Sequence, residues 1–500
     1  MGIVARQSIK SSIVVYAGIF LSVLINLFIW PLCFDIKQIG VLRVLIDIAA
    51  PLTVFVHFGL PSTISRFFPF FQNDNTQNNG LLKLVLKYSL LGAVAFSIIF
   101  FVFQQQIEDF YSKDSPLLSH YLIYLYIFTL ILGGINIFEA YSASNLRIVV
   151  PKIFKDFFFR ISVILLTLGY FYYRFDFDYY LLAYALLFLL VFIFILIYLK
   201  RLGKLNIGKQ IIFEQPHLKK DIFNFNFIIL AGGVGGLLLT KFDVLMIAAR
   251  PNGDFNNGIY TTAILLSSMI ELPGRSIGQI SVPIIADNFK ANNWKEIQKM
   301  YGQSSNIQLS VALIIFCLIW TNIENIFGLM PNGEKFIQGS SAFLILGIAQ
   351  IFNMSTSLNA SILSITKYYY IITVASNIVG VCGVLLNIWL VPIYGINGAA
   401  IATGTTIILL HGTVMFFAWL KYKVFPYSIN TLKILALATV VLLVIYILPH
   451  FHYYILDGAI KTTLILFLFT FGLLKLNISS YFNDLYTKAV GLVLSKLKRK

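Results

Sequence analysis

Four charged residues, Lys241, Asp243, Glu271 and Arg275, interrupt two otherwise apolar runs within residues 238–276. A charge at the centre of a bilayer costs about 2.5–3.5 kcal/mol on insertion scales, so such residues face a bundle interior or a water-filled cavity. Spacing says what they can do there. Glu271 and Arg275 are four residues apart on one helix face, as are Arg43 with Asp47 and Asp156 with Arg160. Each such pair can partly neutralise itself. Lys241 and Asp243, two apart, point to different faces, so each needs a partner on another element or water. At about 1.5 Å rise per residue they lie toward the outer end of their helix, at a depth like that of Arg43 and Asp47. Two uses stay open. The pairs stabilise helices that pack polar residues together, or they serve a charged solute and its gate. Bridges from Lys241 to Asp47 and from Arg43 to Asp243 would close the outer end and would have to break for it to open.

The elements that must position these residues are membrane helices. Of 500 residues, 58% are hydrophobic and 12% charged, with mean hydropathy +0.84. A soluble domain is about a quarter charged. The fold class is therefore all-α and polytopic. Apolar runs of about 20 residues fall near 9–31, 39–60, 81–103, 117–138, 149–172, 179–199, 223–249, 258–283, 303–322, 337–358, 369–391, 396–420, 432–449 and 456–474, predicting fourteen transmembrane helices. The N-terminal MGIVARQSIK runs directly into the first of them, which is expected to remain as a helix and not be cleaved as a signal. Arg6 stands where a myristoylation signal needs Ser or Thr.

Lysine and arginine placement orients the bundle. With the N-terminus cytoplasmic, 27 of the 37 basic residues fall in inside segments, six outside and four within spans. That bias predicts cytoplasmic termini and a multi-pass membrane protein. It also accounts for the net charge of +16 without nucleic acid, since the excess meets an anionic leaflet. The three cysteines are scattered, and no histidine pair has metal-ligand spacing, so neither disulfide framework, metal nor cofactor is expected. The organisation expected is a six-helix lobe over 1–199, a basic cytoplasmic connector at 200–222, a second six-helix lobe over 223–425, two extra helices over 426–475 and a basic amphipathic tail over 476–500.

The two lobes read as a parallel repeat. Pro31 followed by Gly40-Val41-Leu42 matches Pro251 followed by Gly258-Ile259-Tyr260. Leu60-Pro61 matches Leu272-Pro273, and Arg147 matches Lys367. The glycine pairs of AGGVGG at 231–236 sit inside a span, where close helix packing or a flexible point suits them better than a dinucleotide loop. Pro51 and Pro273 interrupt the second and eighth helices.

With the fourteen-span layout, TKFDVLMIA at 240–248, GIYTTA at 258–263 and YGINGAAIATG at 394–404, the chain resembles bacterial polysaccharide exporters of the oligosaccharide flippase type. These belong to the multidrug/oligosaccharidyl-lipid/polysaccharide (MOP) superfamily. The resemblance covers roughly residues 1–425. It implies two lobes around a central cavity lined by helices one, two, seven and eight. It also implies flipping of an undecaprenyl-pyrophosphate-linked oligosaccharide from the cytoplasmic to the outer leaflet for surface polysaccharide synthesis, with no enzymatic chemistry. A polysaccharide polymerase or glycosyltransferases would be its partners, besides the lipid-linked glycan and the bilayer itself.

For a pyrophosphate of about two charges, arginine offers bidentate hydrogen bonds and stays protonated in a low-dielectric setting. Arg43, Lys241 and Arg275 are the cations expected to face the phosphates, with Arg66 at the cytoplasmic mouth. Asp243, Glu271 and Asp47 are the carboxylates that could carry protons or form the gate. A multidrug or organic-cation antiporter of the same superfamily, or a lipid II flippase, are the alternatives. A membrane glycosyltransferase, ligase or polymerase is disfavoured because the external segments are all short, the longest about 15 residues, and such enzymes carry catalytic loops.

Overall fold

The computed structural model describes residues 17–71, 80–205, 217–356 and 358–476, together with positions 14, 15 and 211. All regular structure among them is helical. A helix lies over the described part of each apolar run. These helices are α1 (Ala17–Cys33), α2 (Ile36–His57), α3 (Leu81–Ser112), α4 (Leu122–Ser144), α5 (Val149–Lys152, Ile153–Phe158 and Phe159–Tyr173 in one rod), α6 (Phe177–Arg201), α7 (Leu218–Ala248) and α8 (Gly253–Lys290). They continue with α9 (Trp294–Thr321), α10 (Ser340–Thr356), α11 and α12 (together Tyr370–Tyr422), α13 (Ile429–Ile447) and α14 (Tyr454–Lys475). Counting Tyr370–Tyr422 once, nine helices among the described residues are long and apolar enough to cross a membrane. The chain is a multi-pass membrane protein. The amphipathic tail expected over 476–500 and part of the 200–222 connector lie outside the described residues.

Local chemistry sets the helix ends. Asp35 and Gln38 cap α2 reciprocally, the Asp35 N–H donating to Gln38 Oε1 at 3.0 Å. The helix stops at Phe58 and Gly59, both left-handed with φ of 47° and 76°. Hydropathy carries the second span to 60 and overlooks the next element, a separate helix over Leu60–Phe71. It buries Leu60, Ile64, Phe67 and Phe71 on one face. The boundary is a turn of one phenylalanine and one glycine, with no charge to mark it. Between α11 and α12 only Gly395 leaves helical geometry (φ 55°, ψ −129°), a conformation open to glycine. The break expected there falls at Gly395, where the chain folds back so that Gly383 of α11 meets Thr406 of α12.

The chain packs as two compact units, Met1–Thr261 and Thr262–Lys500. In the first, α2 is the spine. A Cβ added at Gly133 of α4 would meet Val56 Cγ1 at 2.9 Å, and one at Gly233 of α7 would meet Val54 Cγ2 at 2.5 Å. The close packing read into AGGVGG thus falls on Gly233. The opening turns of α8 belong to this unit. A Cβ at Gly258 would lie 2.6 Å from the Ile36 carbonyl oxygen.

In the second unit, Gly347 of α10 packs on Phe316 of α9, and Gly383 of α11 packs on Thr406 of α12. Helix α13 joins α9 through Thr431 and Asn306, 3.1 Å apart. Helix α14 buries an ion pair, Asp457 with Lys461, Nζ to Oδ2 at 2.6 Å.

Candidate functional site

The far end of the first unit, opposite the end carrying Arg66, Lys83, Arg147 and Lys152, collects four of the charges singled out from sequence, Arg43, Asp47, Lys241 and Asp243. The cluster starts with a defect in α1. Over Ile25–Ile29 the helix widens to a π-turn, in which the Trp30 N–H reaches the Ile25 carbonyl five residues back. The next residue is Pro31, which has no N–H to offer the Asn26 carbonyl. Arg43 supplies the donor. Its Nη2 gives a hydrogen bond to Asn26 O at 3.1 Å and its Nε to Asn26 Oδ1 at 3.2 Å. Its Nη1 bonds Gly258 O at 3.2 Å and Thr261 Oγ1 at 3.1 Å. The guanidinium, only 5% exposed, thereby ties α1, α2 and α8 together. A planar fork of five donors suits this fan of acceptors; a lysine does not.

One turn along α2, Asp47 faces α7. Its Oδ2 lies 3.2 Å from Lys241 Nζ, with both side chains partly shielded. This is the Lys241–Asp47 bridge anticipated from sequence. Asp243, two residues on, is 3% exposed and points elsewhere, as its spacing requires. Its Oδ1 accepts the Val244 N–H at 2.8 Å, and its Oδ2 accepts the Tyr260 hydroxyl at 2.6 Å. The described hydrogen bonds of Arg43 to Asn26, Gly258 and Thr261 hold α1, α2 and α8 together. Between Thr261, which holds Arg43, and Tyr260, which holds Asp243, the helix sector of α8 belongs to Asn257. Its side chain is fully buried, and neither amide atom has a hydrogen-bond partner among the described residues. An unsatisfied buried polar atom costs about 1–3 kcal/mol. The far end of this unit therefore holds a polar group whose bonding is incomplete in this conformation.

Side-chain and backbone hydrogen bonds stitch the same end together. Ser115 donates to Ala248 O at 2.7 Å, and the Gly253 N–H donates to Asp114 O at 3.0 Å. Asp254 Oδ2 accepts the Leu117 N–H at 3.1 Å. Asp254 lies before the apolar part of α8. Burial pushes its carboxyl up to about 6, against the Leu117 and Leu118 N–H groups and Lys37, which pull it down.

The other site residues fall elsewhere. Arg66 is exposed on the Leu60–Phe71 helix, with its guanidinium over the Phe225 ring at 4.6 Å. The neighbouring Thr63 hydroxyl bonds the Asn226 side chain of α7. Arg66 thus lies at the end of the unit that carries Lys83, Arg147 and Lys152. Glu271 is half-buried on α8, in the second unit; the side chain of Arg275 lies outside the described residues. Asp156 and Arg160 form their pair, Oδ1 to Nη1 at 3.4 Å.

Sequence reasoning missed Asn26, Tyr260 and Thr261 as partners, since uncharged polar residues carry no signal in a hydropathy pattern. It also missed Asp457 and Lys461. By placement Lys461 counts as an outside orientation charge, yet it is 4% exposed and paired with Asp457, which also accepts from Asn325 at 2.6 Å. The four-residue spacing applied to the other pairs would have found it. Among the described residues no group of His, Cys, Asp and Glu is arranged to hold a metal, and the three cysteines are free thiols.

No family model matches the chain. Over 388 residues, 73% of this chain and 74% of the relative, it is 22% identical to an uncharacterized membrane protein of Methanocaldococcus jannaschii. Among solved structures it is similar to the lipid II flippase MurJ in an inward closed conformation, with TM-score 0.72 and 15% identity over 94% of this chain and 99% of that one. It is similar to an inward-facing multidrug resistance MATE family transporter of the MOP superfamily, with TM-score 0.63 and 12% identity over 83% and 94% of the two chains. A MOP superfamily transporter from Pyrococcus furiosus, described by the reverse polarity of its binding pocket, is similar with TM-score 0.53 and 13% identity over 85% and 98%. The chain has the fold of the MOP superfamily transporters.

Proposed function

We propose that this protein is an alternating-access transporter that flips an undecaprenyl-pyrophosphate-linked oligosaccharide from the cytoplasmic to the outer leaflet. In this reading it crosses the membrane fourteen times, both termini are cytoplasmic, and two six-helix lobes, 1–199 and 223–425, enclose a central cavity. The bridge between Lys241 and Asp47 carries the proposal. It is a partly shielded cation held by a carboxylate on another helix, within a fold whose solved neighbours include a lipid II flippase and multidrug transporters.

The proposed cycle rests on competition for the same cations. With the far end closed, Lys241 is neutralised by Asp47, and Arg43 is held by Asn26, Gly258 and Thr261. A pyrophosphate entering the cavity offers Lys241, Arg43 and Arg275 a more highly charged acceptor than Asp47 or a carbonyl. Substrate binding then weakens the bonds that join α7 and α8 to α2, and the far end opens. Release outside restores them. Arg66 at the basic end meets the head group first. Protons carried by Asp243, Glu271 or Asp47 would drive the return, and no covalent step is needed. A polysaccharide polymerase or glycosyltransferases would act before and after this transfer.

A second reading has its own support. The MurJ likeness covers nearly the whole chain, which favours lipid II, itself a lipid-linked pyrophosphate, as the glycan. The antiporter reading fits less well, because a cavity for organic cations is better lined by carboxylates alone. The test is surface glycan in a strain lacking the gene. Complementation with wild type restores it, whereas Arg43→Ala, Lys241→Ala and Arg275→Ala do not, at equal membrane abundance by blot. Unchanged glycan in the deletion strain, with new sensitivity to cationic drugs, would move the assignment to the antiporter.

A further inference from the structure

A pocket with a mostly apolar lining and a few polar groups lies at the basic end of the first unit, apart from the charge cluster. It encloses about 440 Å³ between the turn after α2, the start of the Leu60–Phe71 helix, α4 and the start of α5. That is the size of a small-ligand site. Its polar lining includes His57, Ser62, Asn136, Glu139 and Lys152; Ile148 and Ile229 are among its apolar wall.

The polar groups are not equivalent. Lys155, in the π-turn of α5, donates to Glu139 Oε2 at 2.7 Å and to Asn136 Oδ1 at 3.2 Å. Asn136 in turn donates to Thr53 Oγ1 at 3.3 Å. Glu139 is thus matched by Lys155, and this network forms a satisfied wall. Lys152, one turn before Lys155, is half-buried and has no carboxylate partner among the described residues. His57 Nδ1 accepts the Gly59 N–H at 3.2 Å, so the neutral ring keeps its proton on Nε2 and is a donor there. Ser62 adds a hydroxyl. The pocket therefore presents one uncompensated cation and two neutral donors beside an apolar wall.

We infer that this pocket binds a phosphate ester carried on an apolar chain. Lys152 is the counter-ion, His57 and Ser62 bond the remaining oxygens, and Ile148 and Ile229 cover the first carbons of the chain. A half-buried ammonium without a carboxylate favours an anion, and charge-assisted bonds to phosphate oxygens are the strong ones. Charge placement puts this end at the anionic leaflet, where basic pockets between helices take lipid head groups. The site does not require that the chain move a glycan.

The test is isothermal titration calorimetry of the full chain in a neutral detergent with hexadecyl phosphate, hexadecanol and inorganic phosphate. Hexadecyl phosphate is expected to bind at a single saturable site. Lys152→Gln should weaken it about tenfold, the scale of one lost charged hydrogen bond. Lys152→Arg should restore it, and Ser62→Ala should weaken it less. Equal affinity for inorganic phosphate would support the same phosphate chemistry and assign the natural ligand to the cytosol instead of the leaflet. Hexadecanol binding as tightly as hexadecyl phosphate, or Lys152→Gln binding like wild type while melting at the same temperature, would overturn the assignment. Each readout is independent of transport, so failure here leaves the flippase reading standing, and failure of flipping leaves this site standing.

Discussion

Gly40 of α2 and Gly258 of α8, matched positions of the internal repeat, pack against each other. A Cβ on Gly40 would fall on the Asp254 carbonyl and lie 2.9 Å from the Gly258 nitrogen, while one on Gly258 would meet the Ile36 carbonyl. Two helices approach backbone to backbone only where neither carries a side chain. This crossing sets the register that brings Arg43 to Gly258 and Thr261. Gly40→Ala is therefore expected to separate α2 from α8 and lower the melting temperature of the detergent-solubilised protein. Gly169→Ala is the control: nothing lies within 4 Å of its Cβ position. Its expected effect is a gain of about 0.5–1 kcal/mol from helix propensity alone. Equal melting of the two variants would show that the crossing tolerates a side chain and does not set the register.

Arg43→Lys keeps the charge and loses the fork. One ammonium cannot serve Asn26 O, Asn26 Oδ1, Gly258 O and Thr261 Oγ1 together, and the Asn26 carbonyl faces a proline that has no N–H. The expected loss is about 1–3 kcal/mol per acceptor stranded in the interior. Thermal unfolding of Arg43→Lys beside Arg43→Ala measures it. Full rescue by lysine would show that charge alone matters at this position.

The Asp457–Lys461 pair is 1% and 4% exposed. Removing one partner strands a buried charge, which costs about 3–5 kcal/mol. Asp457→Asn and Lys461→Met alone should each reduce folded protein in the membrane. The double variant Asp457→Leu with Lys461→Met should recover much of it, because two apolar residues satisfy a buried site about as well as an ion pair. Additive losses in the double variant would contradict this.

Asp254 gives stability a pH dependence. Its folded-state carboxyl titrates near 6, above the ordinary carboxylate value of 3.8, because it is buried. The folded state then holds the proton more tightly than the unfolded one. The destabilisation is complete above about pH 6 and is relieved as pH falls toward the unfolded value near 4. Wild type should therefore gain more stability than Asp254→Asn between pH 7.5 and pH 4.5, measured by unfolding midpoints at fixed ionic strength. A larger gain in the Asn variant would reverse the sign and discard the explanation.

Much of the fold was legible because hydropathy reports solvent, and a bilayer is an extreme one: every apolar run lies on a helix over its described part. Charge spacing was informative where a residue had to find its partner on another helix, as Lys241 found Asp47. It was silent where the partner was uncharged. Arg43 bonds an asparagine, a threonine and two carbonyls, and the π-turn that exposes one of those carbonyls has no composition signature beyond Pro31. Helix ends set by backbone conformation, such as Phe58-Gly59, were equally silent. Lys461 was read only as an orientation charge, and its four-residue spacing from Asp457, with which it pairs, was passed over.

In the proposed cycle Lys241 and Asp47 form a contact that substrate must break. The most direct measurement is flipping of a fluorescent undecaprenyl-pyrophosphate glycan in proteoliposomes containing wild type, Lys241→Ala, Asp47→Ala or the exchanged pair Lys241→Asp with Asp47→Lys. Lys241→Ala should abolish flipping, and Asp47→Ala should bind substrate more tightly. The exchanged pair should close the far end normally while flipping poorly, because its cation now sits on α2. Wild-type flipping by Lys241→Ala at equal reconstitution would contradict the gate.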